Sequence, residues 1–355
     1  MNLDDPKNIT RYDRAGMLET IELLPQQCLV ASSIGSKIDL PRRFKSGYKN
    51  IVCAGMGGSA IGADIARSYL FDKARAPLFV NRNYTVPGFV GRGSLIIASS
   101  YSGNTEETIS SYKDAKAKKA DIIVITSGGK LKKMAEADGF PAVIIPGGLP
   151  PRCAIGYSFF PLLILLSKIG FAGSQEKDIS ETIKVLSRLK ERLGHAVPES
   201  VNPAKKIAGK LYLKYPVIYA GQEHIDCAAT RWRGELAENS KTVSSVHTFP
   251  EMCHNEIVGW ANPERILKSF AVILLRDKGD SPRIGLRMDI VKRMLKTEGI
   301  EATEVHSSGD GLLARIFSLI YMGDFASFYL AIMNRTDPTP VDRITYLKKE
   351  LSKKG

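Results

Sequence analysis

The sequence predicts an α/β protein built on two doubly wound parallel sheets, with flanking N- and C-terminal helices. From Lys49 to about residue 145, short apolar runs alternate with helical periodicities, as in parallel strands covered on both faces. The pattern restarts at Pro216-Val217-Ile218-Tyr219-Ala220-Gly221, which resembles the strand and turn at 51–55; this is a degenerate repeat. Two loops stand where a strand ends and a helix begins. They are Gly55-Met56-Gly57-Gly58-Ser59-Ala60-Ile61-Gly62 and Ser100-Tyr101-Ser102-Gly103-Asn104-Thr105.

The elements follow in order. Leu18, Ile21, Leu24 and Leu29 lie at helical spacing within 14–34, with Pro25 as a break. A buried strand over 49–54 precedes the glycine loop and a helix over 60–71. Strands at 77–81 and 94–99, a helix at 105–119, a strand at 121–126, a helix at about 130–137 and a strand at 141–145 complete the first unit. Helical segments follow at 155–170 and 178–194, and Pro198 and Pro203 mark 196–203 as a connection. The second unit reads as strand 216–221, helix 225–239, strands 243–249 and 269–275, helix 283–298 and strand 301–305. Helices at about 310–334 and 339–352 end the chain. The implied division is an N-terminal helical arm (1–48), a first sheet domain (49–172), a helical connection (173–213), a second sheet domain (214–308) and C-terminal helices (309–355).

Composition narrows the function classes. At 355 residues the chain is long enough for two cores. The formal net charge of +13 suits anionic partners. The excess is spread: Lys113, Lys116, Lys118 and Lys119 follow helical spacing, and Lys348, Lys349, Lys353 and Lys354 crowd the C-terminus. These read as solvated faces, and no basic stripe interleaves with aromatics, which argues against nucleic acid. The five cysteines are scattered without C-x-x-C spacing, so thiols in a reducing compartment are expected. The polar N-terminus is no signal peptide, and the apolar run Phe159 to Ile169 is too short to span a bilayer. A soluble, cytoplasmic protein without membrane contact is expected.

The two loops speak for a small phosphate. Helix N-termini present unpaired N–H groups and a positive dipole end. Gly55-x-Gly57-x-x-Ala60 also fits a dinucleotide fingerprint, but the second strand closes with Asn81-Arg82-Asn83 and no acid awaits a ribose. Arg82 keeps an NADP-dependent oxidoreductase as an alternative. The second loop is the more specific. Ser100, Ser102 and Thr105 place three hydroxyls within six residues, whereas capping the next helix needs only one. No Gly-x-x-x-x-Gly-Lys-Ser/Thr motif occurs, which disfavours nucleotide hydrolysis.

With these loops the chain resembles the first sugar isomerase (SIS) domain. Arg231-Trp-Arg-Gly-Glu-Leu-Ala-Glu-Asn-Ser-Lys241 and Glu251-Met-Cys-His-Asn-Glu-Ile-Val-Gly-Trp260 resemble the bifunctional phosphoglucose/phosphomannose isomerases. The resemblance covers most of the chain in the right order. It implies two SIS-type domains in a homodimer that interconverts glucose 6-phosphate and mannose 6-phosphate with fructose 6-phosphate, without metal or cofactor. Phosphate would sit at Gly58, Ser59, Ser100, Ser102 and Thr105.

Moving a carbonyl from C1 to C2 needs a base that takes the C2 proton and returns it to C1; a carboxylate with a raised pKa does this well. Ring opening needs an acid and a base, for which histidine is suited near neutral pH. Residue types alone leave Glu235 and Glu238 open, since they lie three apart on one helix. The resemblance selects Glu238, directly before Asn239, with Glu235 as the fallback. His254 differs from the other histidines by its polar turn after a strand and a proline. By resemblance it opens the ring from the neighbouring subunit. A metal reading of Cys253, His254 and Glu256 is poorly spaced. Arg152, after Pro150-Pro151, resembles the family's active-site arginine, which steadies the enediolate or the phosphate. Lys348 matches the lysine of the C-terminal helix, with Lys349 as the alternative. Thr339 resembles the threonine that leaves room for both epimers, and it equally reads as a helix cap before Pro340. The competing class is a SIS-type regulator that binds a sugar phosphate without catalysis.

Overall fold

The computed structural model describes residues 1–44 and 47–353; Lys354, part of the C-terminal basic cluster, lies outside them. Three helices open the chain: α1 (Pro6–Tyr12), α2 (Met17–Glu22) and α3 (Leu24–Ser36). The Asp5 carboxylate accepts from the Lys7 amide at the start of α1, with Pro6 in its first turn. The break expected near Pro25 falls at Leu23, and Pro25 sits in the first turn of α3, where its missing N–H costs nothing.

The first sheet comprises β1 (Asn50–Ala54), α4 (Gly57–Tyr69), β2 (Leu78–Asn81), β3 (Ser94–Ser99), α5 (Glu106–Ala117), β4 (Asp121–Thr126), α6 (Gly129–Asp138) and β5 (Ala142–Ile144). Its strands are parallel in the order β2-β1-β3-β4-β5. Chain direction across the sheet reverses between β1 and β3, the switch point where ligands bind in such sheets. The two loops singled out above follow those two strands.

A 3-10 turn over Pro151–Cys153 leads into α7 (Ile155–Lys168), α8 (Glu176–Leu193) and α9 (Pro203–Leu211). The stretch expected as a plain connection thus ends in a helix. Pro203 starts α9 rather than breaking it, because the Asn202 side chain accepts from the Ala204 and Lys205 amides. The second sheet holds β6 (Tyr215–Gly221), α10 (Asp226–Glu238), β7 (Ser245–Phe249), α11 (Glu264–Leu267), β8 (Phe270–Arg276), α12 (Pro282–Thr297) and β9 (Ala302–His306). Its order, β7-β6-β8-β9, repeats the first sheet less one strand. The chain closes with α13 (Leu312–Met333) and α14 (Asp342–Leu351).

Side-chain alternation along the strands builds three cores. Ile51, Cys53, Leu95 and Ile97 of the first sheet join Ile218, Ala220, Ile273 and Leu275 of the second in one buried cluster. Val52, Ala54, Ile96 and Ala98 face a separate cluster, as do Val217, Tyr219, Val272 and Leu274 on the other sheet. The two sheets therefore share a central core while each keeps an outer one. The helix α13 runs through the shared core against α8, α9 and α10. It is long and apolar enough to cross a bilayer, yet 94% of its most apolar window is buried inside the protein, which makes it a core helix.

Close approach fixes α10 on α13. The Trp232 indole N–H donates to the Leu319 carbonyl at 2.7 Å. A Cβ on Gly323 would stand 2.4 Å from Trp232 Nε1. Gly323→Ala is expected to destabilise the fold by about 1–3 kcal/mol through overpacking, read as a lower denaturant midpoint; an unchanged midpoint would contradict this packing.

Candidate active site

Each loop at the switch point is built to leave its helix N-terminus open. Among the described residues, neither α4 nor α5 has a side-chain cap, so the amides of their first turns remain available to an anion, except that of Ser59, which donates to the Met56 carbonyl at 3.0 Å. Thr105 takes the N-cap position of α5, but its hydroxyl bonds Ser100 Oγ at 2.8 Å instead of the helix. Ser100 is buried and also accepts from the Gly103 amide at 3.1 Å; it shapes the loop. Ser102 is exposed, and its Oγ accepts only a long bond from Asn104 N, 3.3 Å. Ser59 Oγ accepts from Tyr101 N at 3.1 Å and so ties the two loops together. The turn requires glycine at 103, where φ is +68° and a Cβ would lie 1.8 Å from the Gly128 carbonyl oxygen. Arg82, the residue that kept a dinucleotide reading alive, is paired with Asp64 of α4.

Gly58 leads from this seat to the second sheet. A Cβ there would meet the Pro151 carbonyl oxygen at 2.5 Å, so only glycine lets α4 press on the Pro151–Cys153 turn. Arg152, in that turn, is 2% exposed. Its Nε donates to Asn239 Oδ1 (2.7 Å) and its Nη2 to the carbonyls of Pro338 (2.7 Å) and Thr339 (2.9 Å). Its Nη1 faces Glu238 Oε2 at 3.4 Å. The guanidinium thus ties the Pro151–Cys153 turn, which abuts Gly58 through its backbone, to the end of α10 and the 338–339 segment.

The two glutamates of α10 have different surroundings. Glu235 is 2% exposed and pairs with Arg231 Nη1 at 2.8 Å, while Arg231 also bonds Asp324 and the Arg152 carbonyl. Burial drives the Glu235 carboxyl up to about 8 against the pull of Arg231, and burial also raises Asp324. Glu238 keeps 30% of its side chain exposed. It lines a cleft of about 680 Å³ together with Lys241, Asp337, Pro340 and Asp342. A larger groove of about 820 Å³, between α3 and α8, contains none of the predicted site residues.

Lys241 holds the cleft together. Its Nζ donates to the carbonyls of Glu238 (2.6 Å), Pro338 (3.1 Å) and Asn239 (3.3 Å), capping α10 from a backbone at φ +56°. Burial, then Arg152, lowers its pKa. Thr339 is no helix cap: α14 is capped at Val341. Among the described residues its hydroxyl is instead buried without a partner, an unspent polar group beside Arg152.

Within one chain His254 and Lys348 do not join this cluster. His254 closes the 3-10 turn Glu251–His254 after β7 and is exposed; among the described residues it forms no hydrogen bond or ion pair. Glu256, part of the poorly spaced metal reading, is engaged by Tyr219 and, at 2.5 Å, by His247. Lys348 and Lys349 are exposed on α14, a helix with no buried residue.

Family models match both halves: the SIS domain over residues 46–138, and the bacterial phospho-glucose isomerase C-terminal SIS domain over 200–351. A bifunctional phosphoglucose/phosphomannose isomerase of Caldicellulosiruptor bescii is 47% identical over 336 residues, covering 95% of this chain and 99% of that protein. The chain belongs to the bifunctional phosphoglucose/phosphomannose isomerase family. The Aquifex aeolicus member is 37% identical over 86% of this chain and 91% of its own. A glucose-6-phosphate isomerase-like protein from Thermus thermophilus shares the fold at a TM-score of 0.61, with 19% identity over 96% of this chain and 98% of that one.

The two motifs that carry the resemblance to this isomerase family are mostly supports. In the first, Arg231, Glu235 and Asn239 recur every four residues and form the buried face of α10. That spacing was visible in the sequence, but the partners Arg152, Asp324 and Ser327 are remote in the chain and were not. In the second motif, Glu256 and Trp260 dock on the Tyr219 hydroxyl, the indole at 2.9 Å, which fixes the turn that ends in His254.

Glu235 makes stability depend on pH. Its folded-state pKa lies above the ordinary 4.5, so its contribution is fully present below that value and is lost as pH rises through about 8. Denaturant unfolding of the parent is expected to show stability declining across this window, and Glu235→Gln to flatten the decline. Parallel pH dependences in the two proteins would contradict the assignment.

Proposed function

We propose that this protein is an aldose–ketose isomerase that interconverts glucose 6-phosphate and mannose 6-phosphate with fructose 6-phosphate through a cis-enediolate. The observation that carries the reading is the Arg152 junction. It joins the turn packed on Gly58 of α4 to Glu238, a carboxylate 30% exposed in an open cleft.

In this mechanism the phosphate binds at Gly58, Ser59, Ser100, Ser102 and Thr105. Backbone amides at the two helix starts and the Ser102 hydroxyl make direct contacts, while Ser59 and Ser100 hold the loops in shape. Glu238 removes the C2 proton of the open-chain aldose. The electron pair moves into the C1–C2 bond, giving an enediolate whose charge faces the Arg152 guanidinium. Within the cis-enediolate the O2 hydroxyl proton passes to O1, Glu238 delivers its proton to C1, and the carbonyl is left at C2. By the family resemblance Thr339 lies near C2 without committing it to one epimer, its own hydroxyl buried in this chain. His254 and Lys348, with Lys349 as its neighbour, open the ring. Two observations favour His254 coming from a second copy in a homodimer. His254 is exposed and unengaged among the described residues of its own chain, and α14 leaves Ile344, Tyr346 and Leu347 bare. The setting is cytoplasmic, without nucleic-acid or membrane contact.

The alternative, a sugar-phosphate-binding regulator, needs the loops but neither Glu238 nor His254. A coupled assay of the purified protein with fructose 6-phosphate separates the two. Glu238→Gln is expected to keep the fold and substrate affinity while kcat falls roughly 10²–10⁴-fold. Turnover near the parental rate in that variant would move the base elsewhere.

A further inference from the structure

The structure assigns to Asn239 a positioning role: its carboxamide sets the guanidinium of Arg152 in register with Glu238. The inference rests on the isomerase reading above and concerns a residue that touches no reacting atom.

The argument starts from counting donors. A guanidinium has five N–H groups in one plane and no acceptor. In Arg152, both Nη2 protons are taken by the Pro338 and Thr339 carbonyls, the Nε proton by Asn239 Oδ1, and one Nη1 proton faces Glu238. One Nη1 proton is left for a ligand. The two loop carbonyls alone would let the plane follow the 338–339 segment. The Nε contact refers it instead to α10, and to the residue adjacent to Glu238. Because Asn239 and Glu238 share a backbone, the cation and the carboxylate cannot drift independently.

The Asn239 amide has one orientation. Asn239 is fully buried. Its Nδ2 donates to Glu235 Oε2 at 2.9 Å and to Ser327 Oγ at 3.0 Å. Ser327 spends its own proton on the Asp324 carbonyl at 2.9 Å, so only its lone pairs face Asn239. The atom opposite them must be the nitrogen, and the oxygen must face Arg152. A flipped amide would set an NH₂ group against a guanidinium N–H, leaving two buried donors unpaired. The buried cluster of Glu235, Asp324 and Ser327 therefore aims Arg152 through one side chain.

The test compares full-length parent, Asn239→Ala and Asn239→Asp by steady-state kinetics with fructose 6-phosphate, alongside circular dichroism. Alanine removes the Nε acceptor and leaves the phosphate loops untouched. Its kcat is expected to fall about 10–100-fold while KM stays within about threefold. Aspartate keeps an oxygen facing Nε but turns a second acceptor oxygen toward Glu235 Oε2 and Ser327 Oγ in place of the donor, a buried repulsion that a proton held between the two carboxyls relieves. It is expected to recover kcat to within about fivefold of the parent, at lower thermal stability. A parent without turnover defeats the isomerase reading itself. An active parent with an alanine variant of near-parental kcat overturns the positioning role. So does an aspartate variant as slow as alanine, or a loss that only tracks the unfolded fraction. Should the alanine variant not fold, aspartate decides alone: near-parental kcat sustains the role and a tenfold or greater loss overturns it.

Discussion

The buried guanidinium of Arg152 is the constraint on which the rest of the site depends. A cation taken out of water must have its donors satisfied or the fold loses several kcal/mol. Here the acceptors come from α10 and from the 338–339 carbonyls, while Arg152 itself stands on the turn against which Gly58 is pressed. Satisfying one side chain therefore holds the turn against Gly58 and the Glu238 cleft in fixed relation. Lys241 adds a second cation on the Pro338 carbonyl, so the segment bearing Thr339 is clamped from two sides.

The two sheets have the same strand order but divide the work. In the first, the crevice between β1 and β3 is lined by glycines, hydroxyls and open amides. In the second, the crevice after β6 and β8 already holds carboxylates. Asp277 bonds Arg315 Nε at 2.8 Å and Ser307 Oγ at 2.5 Å, and Asp280 accepts from the Asp277 amide and lies close against Gly221. Carboxyl groups occupy this crevice, one of them paired with Arg315. The second sheet instead carries α10 and the turn after β7, the segments that bear Glu238 and His254.

Much of this was legible in the sequence because parallel strands are buried on both faces and read as continuous apolar runs. The strands at 94–99 and 121–126 were placed to the residue for that reason. The helix α9 was hidden by Pro203, which marks a break or a start depending on whether Asn202 caps it, and α1 was hidden by the same ambiguity at Asp5-Pro6. The loops declared themselves through local composition. The choice between Glu235 and Glu238 did not, because it turns on depth: one faces Arg231 and Asp324 inside the shared core, and the other an open cleft. Thr339 was equally opaque, since a cap and a free hydroxyl share one local sequence. Contacts between residues far apart in the chain, such as Arg152 with Asn239 and Pro338, left no local trace.

The most direct measurement is a crystal structure of the protein soaked with fructose 6-phosphate. The account predicts the phosphoryl group between the starts of α4 and α5, within hydrogen-bond reach of Ser102. It also predicts the C1–C2 end beside Glu238, with Arg152 still bound to Asn239. A phosphoryl group seated away from those two helix starts, or a Glu238 side chain turned into bulk solvent with the sugar bound, would contradict it.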